Sequence, residues 1–171
     1  TMLENPPLNL GSDTVFCLSN YDSLVLDGGI AQSHVWLPLG DTTRYYSVTA
    51  PGNFKVTAVQ SNGCARTDSI TAYQICPPKI FIPNGFTPNG ALKNDYFSPI
   101  FSDVLDASLV IYNRWGQIIF EGEGLNTSWD GTYKGSKAKQ GTYLYLATYS
   151  FLNETGTKVS ESIKGWVTLL R

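Results

Sequence analysis

The chain predicts an all-β protein, two antiparallel β-sandwiches in tandem. Three observations predict it. Short runs alternate apolar and polar residues at period two, the spacing at which successive side chains leave opposite faces of a strand. Clusters of Gly, Pro, Asn and Asp interrupt these runs at intervals of about 8–12 residues, the rhythm of a sandwich. Few windows repeat apolar residues at helical spacing, and most of those contain Gly or Pro.

The elements follow in order. Residues 23–27, 33–37, 45–48, 53–59 and 68–73 each read as one short strand. Asp27-Gly28-Gly29, Leu39-Gly40-Asp41, Ala50-Pro51-Gly52 and Asn62-Gly63 punctuate them. Asn62-Gly63 signals a hairpin of type I′, whose two central positions both need positive φ. Cys76-Pro77-Pro78 marks a junction, because two prolines stiffen a connector and cannot both sit in a central strand. The expected domains are residues 1–77 and 78–171. In the second, strands are expected at 79–83, 107–113, 117–121, 141–151 and 160–170, within a sandwich of about seven strands. Asn113 to Gly116 and Asn153 to Gly156 supply hairpin turns. Along 141–151, Tyr143, Tyr145, Ala147, Tyr149 and Phe151 share one face, and Leu144, Leu146, Thr148 and Ser150 the other. Both faces then need cover, as in a sandwich. Asp130-Gly131 permits a tight turn, and Trp129 before it suits a plug at the sandwich end.

Composition excludes several functions. The 171 residues are 42% hydrophobic but only 15% charged, against a usual value of about 25%. A net charge of -2 supports neither nucleic-acid binding nor electrostatic attachment to a membrane. The basic stretch 134–139 reads as a solvated loop. No run of about 18 apolar residues exists, so no helical span is expected. The single histidine, His34, lies in a strand beside Trp36 and is expected to be partly exposed. No nucleophile elbow, phosphate loop or dinucleotide fingerprint occurs, and Asp103 and Asp106 sit in a loop without an inferable cleft. No catalysis is expected. The three cysteines, Cys17, Cys64 and Cys76, match no zinc spacing. Two of them could pair in an oxidising compartment, or all three could stay reduced.

Several motifs occur together in a set order. Phe81 to Gly90 reads FIPNGFTPNG; Ile111 to Gly116 reads IYNRWG; Trp129-Asp130-Gly131 and Gly141-Thr142-Tyr143 follow; Lys164 to Arg171 reads KGWVTLLR. The set resembles the gliding-motility-associated C-terminal domain, the type B sorting domain of the type IX secretion system of Bacteroidota. The order Cys17, Trp36, Cys64, with Leu10 to Cys17 and Ala50 to Val56, is similar to the Ig-like or PKD-like modules that precede such domains in surface adhesins. That likeness implies a Cys17–Cys64 disulfide, worth on the order of 3–4 kcal/mol. It also makes residues 1–77 a stalk module and both sandwiches Ig-like.

The resemblance implies a C-terminal secretion signal on a large gliding-motility adhesin. Its partners would be the type IX outer-membrane translocon and an associated outer-membrane shuttle or partner protein. Export would run through the periplasm to the cell surface or medium. No signal peptide opens at Thr1, so the chain is expected to be the C-terminal piece of something longer. The residues implied in recognition are Pro83, Asn84, Phe86, Thr87, Pro88, Asn89, Arg114, Trp115, Gly116, Lys164, Gly165 and Arg171. Where the family carries an oxygen-rich loop, this chain has Ala91-Leu92 in place of Asp-Gly. Asn89, Asn94 and Asp95 remain as calcium candidates; the alternative is a turn held by Asn and Asp side chains, with no cofactor. The competing function is a β-sandwich module that grips glycan or protein through Trp115, Tyr133 and Tyr96. A plain structural spacer is the third.

Overall fold

The structure, a computed structural model, describes residues 8–18, 23–91 and 93–171. The chain divides into two compact units, one ending at Cys76 and the other beginning at Pro77. The described residues form β-strands and no α-helix, the class expected.

The first unit contains β1 (Thr14–Phe16), β2 (Leu24–Asp27), β3 (Ser33–Leu37), β4 (Tyr45–Val48), β5 (Gly52–Val59) and β6 (Ala65–Gln74). One sheet has the order β1-β6-β5-β3, and β2 pairs with β4. Alternation decides what each strand buries. Phe54, Val56 and Ala58 of β5 turn inward while Asn53 and Lys55 face water. Phe54 and Val56 meet Leu26 from β2, Tyr46 and Val48 from β4, and Trp36 from β3. Trp36 is wholly buried, and its indole N–H donates to the Thr43 carbonyl at 2.8 Å.

The second unit contains β7 (Lys79–Phe81), β8 (Gly85–Phe86), β9 (Ile100–Ser102), β10 (Asp106–Tyr112), β11 (Ile118–Glu123), β12 (Thr132–Tyr133), β13 (Ser136–Lys137), β14 (Gly141–Leu152) and β15 (Lys158–Leu169). Five strands form a sheet of order β11-β10-β14-β15-β8; β7 pairs with β9, and β12 with β13. Tyr143, Tyr145, Ala147 and Tyr149 of β14 point into the core, as the alternation requires. Tyr143, Tyr145 and Ala147 join Leu109, Ile111, Val167, Leu169, Phe86, Phe97 and Trp129 there.

Several expectations are corrected. Pairing is not purely antiparallel: β1 runs parallel to β6, and β8 parallel to β15. The hairpin at Asn62-Gly63 is not type I′. Only Gly63 has positive φ, at 81°, and the Gly63 N–H donates to the Gln60 carbonyl while Gln60 N–H donates to Cys64. That is a type I turn closed by a glycine bulge. The same geometry recurs at Asn113–Gly116 and Asn153–Gly156, with Gly116 at φ 76° and Gly156 at φ 72°. In both, the leading Asn side chain caps backbone N–H groups within its own turn. His34 is buried rather than partly exposed, with Nε2 3.0 Å from the Gly29 carbonyl oxygen.

The disulfide is Cys17–Cys76, not Cys17–Cys64; the Cα atoms lie 4.9 Å apart. Register explains it. β1 pairs Phe16 with Gln74, and the Ile75 N–H donates to the Phe16 carbonyl, which carries the two chains on to bring Cys17 beside Cys76. Cys64 sits just after the β5–β6 turn, exposed and reduced. It is not on an inward strand position, where an Ig-like cysteine would need to be.

Candidate functional site

Pairing in the second unit gathers distant stretches at one end of the five-stranded sheet. β14 and β15 form an unbroken antiparallel ladder with Gly141 opposite Leu169, so the chain terminus leaves where β14 begins. β10 is antiparallel to β14, with Tyr112 opposite Leu144, so the Asn113–Gly116 turn projects from that same end. β8 is parallel to β15, with Phe86 opposite Leu169, so the loop after Phe86 emerges there too.

Gly131 is the meeting point. Its φ is +76°, and a Cβ there would come within 2.9 Å of Leu169, 3.1 Å of Pro88 and 3.3 Å of Phe86. Only glycine allows both that backbone and that approach. The Asp130 carboxylate accepts the Thr132 N–H at 2.9 Å and fixes the turn. The Gly131 carbonyl accepts the Ala138 N–H at 2.9 Å and the Arg171 guanidinium at 3.0 Å. Beneath it Trp129, fully buried, lies tilted to Phe86 at 5.3 Å and edge-on to Tyr143 at 5.0 Å between ring centroids, and its indole N–H donates to the Thr132 carbonyl at 2.8 Å.

Around this anchor the surface is cationic and aromatic. A cleft of about 250 Å³ is lined by Arg114, Trp115, Tyr133, Lys137, Lys139 and Tyr143, among others. Trp115 occupies the third turn position; it is 81% exposed, with the Arg114 guanidinium over its ring at 5.3 Å. Lys134 lies 5.4 Å from the Tyr133 ring, and Gln117 donates to the Tyr133 hydroxyl at 2.9 Å. Burial pushes the Tyr143 phenol above its ordinary value, while Arg114 and Arg171 both pull the other way, since their charge favours phenolate.

Of the residues singled out in the sequence, Phe86, Thr87, Pro88, Asn89, Arg114, Trp115, Gly116 and Arg171 lie at this pole. Phe86 is buried and acts as support rather than surface. Pro83 and Asn84 precede β8, and the Asn84 carbonyl accepts the Thr168 N–H at 2.9 Å. Lys164 and Gly165 lie elsewhere: they sit within β15 opposite Leu146 and Tyr145. Gly165 has a packing reason, because a Cβ there would run into the Tyr145 hydroxyl and come within 2.7 Å of its ring. The 134–139 stretch, read from sequence as a solvated loop, instead contains β13 and supplies Lys137 and Lys139 to the cleft. Nothing periodic in so short a segment could have shown this.

The calcium candidates form a self-held turn. Asp95 Oδ1 accepts the N–H groups of Asn89 and Gly90, both at 2.8 Å, and Asn89 Oδ1 accepts the Ala91 N–H at 2.9 Å. Asn94 adopts φ 60°, and its carbonyl accepts the Thr87 N–H at 2.7 Å. These bonds are those of a turn held by its own Asn and Asp side chains. Leu92 lies outside the described residues.

Residues 80–169 match the CHU_C type IX secretion signal domain, from within β7 to the last residue of β15. The chain belongs to that family. The second unit therefore carries a type IX secretion signal domain, which gives it a sorting role in that pathway. No curated protein matches the chain. Among solved structures, dimeric latent PorU from Porphyromonas gingivalis is 17% identical with a TM-score of 0.32, covering 77% of this chain and 14% of that one. A tetra-tandem repeat from the extending region of a large adhesion protein is 18% identical with a TM-score of 0.36, covering 85% of this chain and 45% of that one. The chain spans less than half of either. Among the described residues no helix is long and apolar enough to cross a membrane.

Proposed function

We propose that the Gly131 pole is the face by which the chain docks on the type IX outer-membrane translocon or on a partner outer-membrane protein, after passage through the periplasm. Residues up to Cys76 would then be an Ig-like or PKD-like stalk module of a surface adhesin. The observation that carries the reading is the convergence at Gly131. Four stretches far apart in sequence, the loop after Phe86, the Asn113–Gly116 turn, the Trp129–Gly131 turn and Arg171, are fixed at one end of the sheet by register and by the Arg171 bond to the Gly131 carbonyl. Cations and an exposed indole there suit recognition by contact, because Trp and Arg dominate interface energetics.

The test fuses residues 1–171 to a signal peptide and a fluorescent reporter in a type IX-competent bacterium, with a translocon-deficient strain as control. Replacing Arg114 and Trp115 together by Ala is expected to lower surface reporter by about tenfold or more. Thermal stability should not change, since both side chains are exposed. Undiminished export of the double variant would sink the docking assignment. A glycan-binding role remains the second reading, because Trp115 and Tyr133 line one cleft. It would be favoured by saturable sugar binding that the double variant loses while export persists.

A further inference from the structure

We infer that the outer edge of β15, between Ile163 and Val167, accepts an extended segment of the secretion partner as an added β-strand. This deepens the docking reading above and rests on it.

The argument begins with hydrogen-bond parity. The Thr168 and Leu170 N–H groups donate to Asn84 and Phe86, away from β14. The β14–β15 ladder runs without a register shift, so the even-numbered residues Trp166, Lys164, Ser162 and Ser160 also direct their backbone groups outward. β8 covers only Thr168 and Leu169. Among the described residues no strand covers the rest of that edge.

A long open edge is normally blunted by charge, bulges or cover. The opposite edge of the sheet is blunted: β11 carries a register shift against β10, ends in Glu121 and Glu123, and has Thr127 packed against Gly122. The first half of β15 is guarded as well. Lys158 pairs with Asp106, and Glu161, directed to the core side, accepts the Tyr149 hydroxyl at 2.7 Å. Beyond it the guarding stops. Ile163 to Val167 carries one charge, Lys164, and Trp166 lies 64% exposed. Trp166 also ends an apolar row across the outer face, formed with Leu144, Tyr112 and Ile118 by direct register.

These features specify the occupant. Open N–H and C=O groups require an extended backbone. Cross-strand neighbours pair on one face, and Lys164 and Trp166 are two residues apart on the same face. The segment should therefore place an acidic side chain beside Lys164 and an apolar one beside Trp166, two positions apart. The Lys164-Gly165 pair then has a role on the edge and not at the pole.

Proline separates edge from fold. At 164 it removes an N–H that faces away from β14, a position edge strands tolerate, yet it denies that N–H to an added strand. Purified residues 1–171 are mixed with a dodecapeptide alternating threonine and valine, with one glutamate two places from a tryptophan. Amide hydrogen exchange of Lys164 and Trp166 should slow by about tenfold on saturation. Lys164→Pro should lose that binding, and Trp166→Thr, which keeps every backbone group, should weaken it by up to about fivefold. In the export assay a folded Lys164→Pro should lose about tenfold in surface reporter. Unslowed exchange of those amides, or wild-type export by a folded Lys164→Pro, overturns the inference. If the unmodified fusion fails to export at all, the docking reading falls, while amide exchange still decides the edge.

Discussion

Replacing Trp129 by alanine is expected to cost the second unit about 3–5 kcal/mol. The indole is wholly buried, touches the rings of Phe86 and Tyr143, and satisfies the Thr132 carbonyl. Its backbone also forms both hydrogen bonds of the bridge to Phe97, at 2.8 and 3.0 Å. Alanine would leave a cavity and remove the donor to the part-buried Thr132 carbonyl together, and partial collapse would pull the Gly131 turn away from Leu169 and Arg171. Against a domain stability of about 5–15 kcal/mol, this is a large fraction. The unfolding midpoint of the second unit should fall by about 15–30 °C, measured by near-ultraviolet circular dichroism. Trp129→Phe should lose less, because a ring still fills most of the space. Surface reporter should drop with folded fraction in Trp129→Ala, unlike the Arg114 and Trp115 variant, which should stay folded. An unchanged midpoint for Trp129→Ala would show that the plug contributes nothing.

Long strands were legible in the sequence because each has several alternations to display. β5, β10, β14 and β15 contain enough period-two residues to fix which face turns inward, and Phe54, Leu109, Tyr145 and Val167 are buried accordingly. β1, β8, β9, β12 and β13, two or three residues each, were missed. A two-residue strand has no period, and its pairing is set by partners far away in the chain. The same limit hid the functional geometry. The loop after Phe86, the Arg114–Trp115 tip and the chain end could be named from residues, but only the parallel pairing of β8 with β15 and the antiparallel pairing of β10 with β14 put them together. The resemblance implies Lys164 and Gly165 together with Arg171, but strand rise separates them, at about 3.4 Å per residue. Turn chemistry was half legible. Gly at 63, 116 and 156 marked where the chain reverses, but whether the preceding residue also turns left-handed depends on loop closure, and here it does not.

The cysteine variants should divide sharply. Cys17→Ser and Cys76→Ser are each expected to cost the first unit about 4 kcal/mol, because the cross-link closes a sequence separation of 59 residues. Cys64→Ser should stay within about 0.5 kcal/mol of the parent, since that thiol is exposed in a turn. Reductant should lower the urea midpoint of the parent to that of Cys17→Ser, and leave Cys17→Ser where it is. The native oxidised protein should show one reactive thiol, lost in Cys64→Ser. The pairing first suggested by the Cys–Trp–Cys order makes the opposite forecast: Cys64→Ser destabilising, Cys76→Ser neutral. The reason to expect the former lies in β1. That strand is three residues long, pairs in parallel with β6 at the sheet edge, and carries Phe16 into the core. So short an edge strand would fray without a covalent tie, and the tie falls one residue beyond its end, at Cys17. Its partner Cys76 is the last residue before Pro77, so the bond also fixes the point where the chain leaves the first unit.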